Sequence, residues 1–426
     1  MKERIAIVAG VRTPFCKAGG VMRDIEADDL GAYIVTELMA RSGVPLTMVD
    51  DVIFGNVIQP PEKANIARII GVKAGIPIKV PAFTVNRNCA SGLEAITTGA
   101  DRIILGHDQV VVAGGTESMS NFPIAIRKKY RDFLQRLSKA KSFLEKLSVL
   151  CKFRLSFLVP EFPEISDPLC SLNMGQTAEL LAREFCISRE EQDKFALRSQ
   201  QRAERAIAKG LLADEIVPMP VPPAYTNVQS QDEGPRANQT LEALAKLKTI
   251  FDSITGTVTA GNSSQVTDGA AAVLLMTESK AKSLNLEPLG YIRDYVAAGL
   301  QPSRMGLGPA FAISKLLDKT GMKLSDFDLI EINEAFAAQV LAVVKACGSD
   351  DFARKELGKD RAVGVIDIDK LNINGGAIAL GHPLGASGTR LVITLLKELR
   401  RINKNTGLVS LCIGGGQGQA AVLEVK

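Results

Sequence analysis

The sequence predicts an α/β fold of two related halves with a helical insertion, and three features of its 426 residues predict it. Short apolar runs alternate with helix-periodic stretches, several blocks recur half a chain apart, and the pattern changes between residues 121 and 249.

The alternation starts with IAIVAG, a helix-like stretch from Asp28 to Ala40, DVIFGN and AFTVN. It reads as a mostly parallel sheet with crossover helices. The clearest unit runs from AFTVN through CASGLEAITTGADRIILG to QVVVAGG. There Leu93, Ile96, Ala100, Ile103 and Ile104 share one helical face, and Gly106 stands where the helix would stop.

The duplication shows in Gly43, Leu46, Val49, Asp50 and Val52, which match Gly321, Leu324, Phe327, Asp328 and Ile330 at constant spacing. CASGLEAI lies over GASGTRLVI, and QVVVAGG over GLVSLCIGG, each at a larger spacing. Two α/β halves about a pseudo-twofold axis follow, residues 1–120 with 250–283 and residues 284–426, with the functional site where strand ends from both halves meet. The stretch 121–249 is helix-rich and Pro-punctuated, and reads as an inserted domain. Within it, residues 127–154 carry ten Lys/Arg against Asp132 and Glu145, followed by LSFLVPEFPEI. A charge run of this kind is either a solvated helical surface or a basic amphipathic segment that meets a membrane surface, a partner subunit or ligand phosphates.

Composition excludes several classes. Hydrophobic residues at 46% and charged residues at 23% are ordinary globular usage, so disorder is not expected. The balance of 51 Lys/Arg over 47 Asp/Glu is too even for a nucleic-acid protein. Seven scattered cysteines form neither a zinc knuckle nor a C-x-x-C pair, which points to a reducing compartment. The opening MKERIAIVAG carries no signal-peptide or transit pattern, so a cytoplasmic location is expected, and no apolar stretch reaches 18 residues.

Three residues stand out chemically. Cys89 in NRNCASG follows a strand and precedes a helix, where the first free N–H groups would favour its thiolate. The bland alternative is a packed cysteine, the commoner fate of the residue. Of the two histidines, His107 sits in a surface-like turn, whereas His382 lies in the Gly- and Asn-dense loop NINGGAIALGHPLGASGTR before a helix from Ser387, which lets backbone and imidazole approach a ligand. Cys412 ends the strand LVSLC ahead of the hairpin IGGGQGQAAVLEV, placing a second thiol at the edge of the repeat-related half. A dinucleotide loop is excluded because GGGQGQ leads into a strand and leaves no room for a ribose-binding acid. A phosphate loop is excluded because the one Gly-Lys pair, Gly358 and Lys359, is followed by Asp360.

NRNCASGLEAI, EINEAFAAQ, NGGAIALGHPLGASGTR and SLCIGGGQG resemble the signature blocks of the thiolase family, in family order. RTPF, MGQTAE and TVTAGNSSQVTDGAAAVLLM extend the likeness over nearly the whole chain. The resemblance implies a thiolase fold, two βαβαβαββ halves in a five-layer αβαβα arrangement with an inserted loop domain. It implies thiolytic cleavage of 3-oxoacyl-CoA in β-oxidation, or in reverse a Claisen condensation. It makes Cys89 the acylated nucleophile, His382 its base, and Cys412 the acid/base at the α-carbon of acetyl-CoA. Asn333 would hold a water that, with His382, stabilises the enolate oxygen, and the N–H groups of Cys89 and Gly414 would form a second oxyanion hole. Ser264 would approach the pantetheine of CoA in a tunnel lined by Met174, Ala335 and Phe336. Such groups are needed together because an ester enolate leaves only if its oxygen is held and its carbon protonated. No metal or redox cofactor is implied, CoA being a substrate.

Two departures are present. Gln265 stands where many family members have Gly. The basic segment and an insertion from Asp351 to Asp369 resemble the thiolase subunit of fatty-acid-oxidising trifunctional complexes, whose members usually carry His in place of Asn333. That likeness implies an α-subunit partner and peripheral membrane contact, and the family implies a homodimer or tetramer. An acetoacetyl-CoA-forming acetyltransferase is the nearest alternative. A decarboxylating ketosynthase would need a second active-site histidine, and a non-enzymatic lipid carrier would have lost Cys89, His382 or Cys412.

Overall fold

The computed structural model describes residues 3–123, 127–159 and 166–426. The first half is built on β1 (Ile5–Arg12), β2 (Asp51–Gly55), β3 (Ala82–Val85), β4 (Val110–Glu117) and β5 (Thr267–Thr277). The second is built on β6 (Gly290–Gly299), β7 (Leu329–Ile332), β8 (Thr406–Ile413) and β9 (Gln417–Glu424). These strands run in the order β3-β2-β4-β5-β1-β6-β9-β8-β7, so the halves join edge to edge through the antiparallel pair β1 and β6. The counterpart of β3 in the second half is one parallel bridge from Ile330 to Leu371.

Helices make this five layers. On the outer face of the first half lie α1 (Ala27–Ser42) and α2 (Ile66–Lys73), and on that of the second lie α8 (Gly308–Thr320) and α9 (Ala337–Cys347). Between them α3 (Ser91–Ile104) packs on α10 (Leu384–Arg401). The strands are continuously apolar because each feeds two cores: Ala270, Ala272, Leu274 and Met276 of β5 face the outer helices, while Ala271, Val273 and Leu275 face α3 and α10. Double-sided cover, not strand direction, writes that pattern, and here the mostly parallel sheet expected from the runs is corrected. Only β2 with β3, β2 with β4, and β7 with β8 are parallel among the pairs of this sheet, because β5 and β9 return against the preceding strand.

The duplicated blocks have physical reasons. Gly43 and Gly321 both end a helix in the left-handed region, at φ 68° and 70°. Gly92 and Gly388 lie where α3 and α10 cross: a Cβ on Gly92 would stand 2.6 Å from the Gly385 carbonyl oxygen, and one on Gly388 2.4 Å from the Leu93 nitrogen. Register pairs Asp51 with Val111 in one half and Leu329 with Gly407 in the other, which carries Cys412 onto Thr116 and Asn333 onto Gly55. Gly106 follows α3 at φ 76°, but Ile104 is exposed, so only Ile103 of that pair joins the core. Helix α10 begins at Leu384, three residues before the expected start.

Between β4 and β5 run α4 (Lys128–Lys139), α5 (Phe143–Leu150), α6 (Met174–Glu184) and α7 (Arg189–Ala208), with two small hairpins. Helices α6 and α7 bury Leu181, Phe195 and Ala196 against the second half. By contrast, α4 and α5 gather round Phe133, Phe153 and Phe157 and leave Phe143 and Leu144 almost bare.

Candidate active site

Cys89 sits in the short turn between β3 and α3. Ser91 closes that turn: its Oγ accepts from the Arg87 N–H at 2.9 Å and donates to the Asn88 carbonyl at 2.7 Å. Asn88 adopts φ 43°, a left-handed conformation that asparagine tolerates better than most residues. Two backbone N–H groups face the Cys89 sulfur, its own and that of Gly414. The helix-end N–H groups expected from the sequence are not its donors, because the Ala90 and Ser91 amides close the turn onto Arg87 and Asn88. Burial outweighs both contacts and pushes the thiol up to about 11. The group is therefore stored as a thiol, not the thiolate anticipated, and needs a base.

His382 is that candidate. Ser387 Oγ donates its single proton to the Pro383 carbonyl at 2.9 Å, so its 2.6 Å contact with His382 Nδ1 requires the ring nitrogen to carry the hydrogen. Nε2 is left as the bare lone pair, facing Asn333 Nδ2 at 3.3 Å. Burial, reinforced by the charge of Arg390, lowers the imidazole to about 3, which keeps it neutral.

Cys89, His382, Gly414, Ser264, Met174, Ala335 and Phe336 all line one cavity of about 1000 Å³. Asn333 is fully buried and reaches that cavity through His382. Cys412 is also fully buried, packed behind Met174, Ala335 and Phe336, and near enough to Cys89 that a thiolate on one would oppose a thiolate on the other. Its thiol is pushed up, chiefly by burial. The wall is set by local pairing: Ser264 N–H donates to the Ala335 carbonyl at 2.9 Å, and Phe336 meets Phe251 edge-on at 6.0 Å. Met174 opens α6, whose start is fixed by a reciprocal Asn173 and Gln176 cap. Gln265, the departure, donates its side-chain amide to the Gly234 carbonyl at 3.0 Å, and its backbone carbonyl accepts the His382 backbone N–H at 3.1 Å.

Four supporting residues escape sequence reasoning: Ser387, Asn88, Asp167 and Glu117. Ser387 was visible as a helix start and as the counterpart of Ser91 in the duplicated block, but not as a partner of the imidazole. The buried Glu117 carboxylate accepts from Asn56 Nδ2 and the N–H groups of Val57, Ile58 and Gly385, lashing the His382 loop to the first half. Burial raises it to about 7 despite those bonds. An acid closing the apolar run VVVAGGTE was its one signal.

Two α/β halves that bring a thiol and an imidazole to one cavity, with a second thiol packed behind its wall, define a class, the thiolase-fold acyltransferases. The models of the thiolase N-terminal and C-terminal domains match residues 5–279 and 286–425. The chain belongs to the thiolase family and is an acyltransferase. It is 43% identical over 425 residues to a 3-ketoacyl-CoA thiolase of Yersinia enterocolitica, covering 100% of this chain and 97% of that one, and equally identical to one of Yersinia pestis. The crystal structure of a Bacillus anthracis acetyl-CoA acetyltransferase superposes with a TM-score of 0.86 at 40% identity, covering 99% of each chain. That of human mitochondrial 3-ketoacyl-CoA thiolase in complex with CoA gives 0.84 at 39%, covering 100% of this chain and 98% of that one.

Proposed function

We propose that the chain is a 3-ketoacyl-CoA thiolase that cleaves 3-oxoacyl-CoA with CoA through an acyl-enzyme on Cys89. The carrying observation is the pairing, on one cavity, of a thiol faced by two N–H groups with an imidazole whose Nδ1 lies 2.6 Å from Ser387 Oγ and whose Nε2 faces the Asn333 amide. His382 Nε2 takes the Cys89 proton and the thiolate adds to the 3-keto carbon, whose oxygen enters the hole formed by the Cys89 and Gly414 N–H groups. Collapse breaks the C2–C3 bond. The departing enolate oxygen is held by His382 Nε2–H and a water on Asn333, and Cys412 protonates its carbon. The CoA thiol then gives its proton to the Cys412 thiolate and attacks the acyl-Cys89, and His382 returns its proton to the Cys89 sulfur as acyl-CoA is released. Ser264, Met174, Ala335 and Phe336 guide the pantetheine.

Mass spectrometry after incubation with an acyl-CoA tests this: an acyl adduct on the natural enzyme and none on Cys89→Ala is expected, and an adduct retained by Cys89→Ala overturns it. An acetyl-CoA acetyltransferase, favoured by the Bacillus anthracis likeness, would lose thiolysis steeply beyond the four-carbon substrate in a chain-length series.

The same reading takes residues 1–120 with 250–283 and 284–426 as the halves, 121–249 as the inserted domain, and a cytoplasmic homodimer or tetramer as the working form. It places α4 and α5 on an anionic membrane surface. Phe143, Leu144 and Leu155 are 78%, 76% and 79% exposed beside ten basic residues, and among the described residues no helix is long and apolar enough to cross a membrane. Sedimentation with anionic vesicles, lost in Phe143→Asp/Leu144→Asp, is expected. Retention of an α-subunit without vesicle binding would assign the face to that partner instead.

A further inference from the structure

Gly414 supplies one of the two N–H groups at the Cys89 sulfur, yet glycine is the residue least able to hold an N–H in a fixed direction. A Cβ there would make only ordinary contacts, 3.4 Å to Met174 Sδ and 3.6 Å to Asn88 Nδ2, so crowding at residue 414 does not hold the N–H in place either. The next two residues, Gly415 and Gly416, are in the left-handed region at φ 87° and 78°, so the turn has little stiffness of its own. Strand β8 orients the chain up to Ile413, which is in register with Gln417. Beyond Gly414 something else must.

Two side chains grip the peptide group that follows. Its carbonyl, that of Gly414, accepts from Asn88 Nδ2 at 2.8 Å, and its N–H, that of Gly415, donates to Asp167 Oδ2 at 2.8 Å. A planar unit held at both its oxygen and its nitrogen cannot rotate, and because the preceding unit, which carries the Gly414 N–H, hangs from the end of β8, holding this one confines the torsions of Gly414 between two fixed planes. Each grip is itself anchored. Asn88 is held by its N–H to Asn86 Oδ1 at 2.9 Å and adjoins the nucleophile. Asp167 is buried and takes the Leu169 N–H on its other oxygen at 2.8 Å.

We propose that Asn88 and Asp167 are positioning residues that together aim the Gly414 N–H at the oxyanion on the Cys89 side. The inserted segment thereby supplies, through Asp167, a part of the acyl-transfer centre. This rests on the reading of Cys89 as the acylated residue.

The two holes of that mechanism separate the test. Asn88→Gly keeps the left-handed backbone and removes only the amide, and Asp167→Ala removes the other grip. Rapid-quench acylation of Cys89 is expected to slow about tenfold to a hundredfold in each, at or below the loss seen when an oxyanion donor is deleted outright. The KM for CoA and the melting temperature stay close to those of the natural enzyme. Exchange of the acetyl-CoA α-protons in deuterium oxide, followed after the acyl-enzyme has formed, depends on the His382 and Asn333 hole and is expected to persist. Asp167→Asn, which retains one acceptor oxygen, falls between. Unchanged acylation, or equal loss of acylation and exchange, overturns the proposal. If the natural enzyme itself forms no Cys89 adduct, the underlying mechanism fails instead.

Discussion

The turn before α3 and the turn before α10 are one motif used twice. In the first half NRNCASG puts Cys89 two residues before Ser91; in the second HPLGASG puts Gly385 at that place, with Ser387 as the equivalent serine. Both serines donate to a carbonyl of their own turn, Asn88 in one and Pro383 in the other. They differ in what they accept. Ser91 takes the Arg87 backbone N–H, so it serves only the fold of its turn, whereas Ser387 takes His382 Nδ1–H and so sets which nitrogen is the base. A scaffold needed for helix crossing at the pseudo-twofold was thus kept on both sides, and chemistry diverged through the residue each serine happened to reach.

His382→Ala makes the widest break between the two turns. It should lower acylation of Cys89 by about 10²–10⁴-fold, the span of a lost general base, as read by rapid quench. The natural enzyme's acylation rate should show no acid limb near the ordinary imidazole value, because the ring stays neutral down to about 3. The sign for stability follows from the same depression. Between the unfolded value of about 6.5 and 3 the unfolded chain binds a proton the folded chain refuses, so stability falls as pH drops through that window. Urea titrations should find this slope shallower in His382→Ala, and an identical slope would contradict the burial of the ring.

Ser387→Ala comes next. It frees the ring to place its proton on either nitrogen, and a loss of about 10–10²-fold in acylation is expected, the scale typical of removing a partner that orients a histidine. Gly388→Ala tests the shared scaffold, since its Cβ would press on the Leu93 backbone nitrogen rather than on a flexible side chain. Overpacking of about 1–3 kcal/mol should appear in urea unfolding. An unaltered midpoint would mean the helices separate easily and that the recurring Ala-Ser-Gly has another cause.

Much of this was legible in the residues, and the gaps have physical reasons. Strands β2 and β4 announced themselves because both faces are buried, but nothing in an apolar run records whether its neighbour is parallel. Cys89, His382 and Cys412 stood out through rarity and neighbours, while Asn333, Gly414, Ser264, Met174, Ala335 and Phe336 came from family likeness alone. The acidity of Cys89 was misjudged because its place before a helix is a local feature, whereas the burial that raises its thiol is made by the assembled fold and outweighs even the N–H that Gly414 brings from the far half. Asp167 left no trace for the same reason, its bond to Gly415 spanning 248 positions.

Ser91→Ala is the smallest expected effect and the sharpest control. It leaves the Arg87 N–H and one contact of the Asn88 carbonyl unmet in a partly buried turn, for which a loss of about 1 kcal/mol in urea unfolding is expected. Ser91 touches neither the sulfur's two N–H donors nor the imidazole, so once the variant is folded its acylation rate should fall far less than that of Ser387→Ala. If the two serines instead proved equal in rate, the His382 tautomer would no longer distinguish them. The turn's rigidity at Cys89 would then matter as much as the proton at His382, and the division of labour between the halves would have to be redrawn around the backbone.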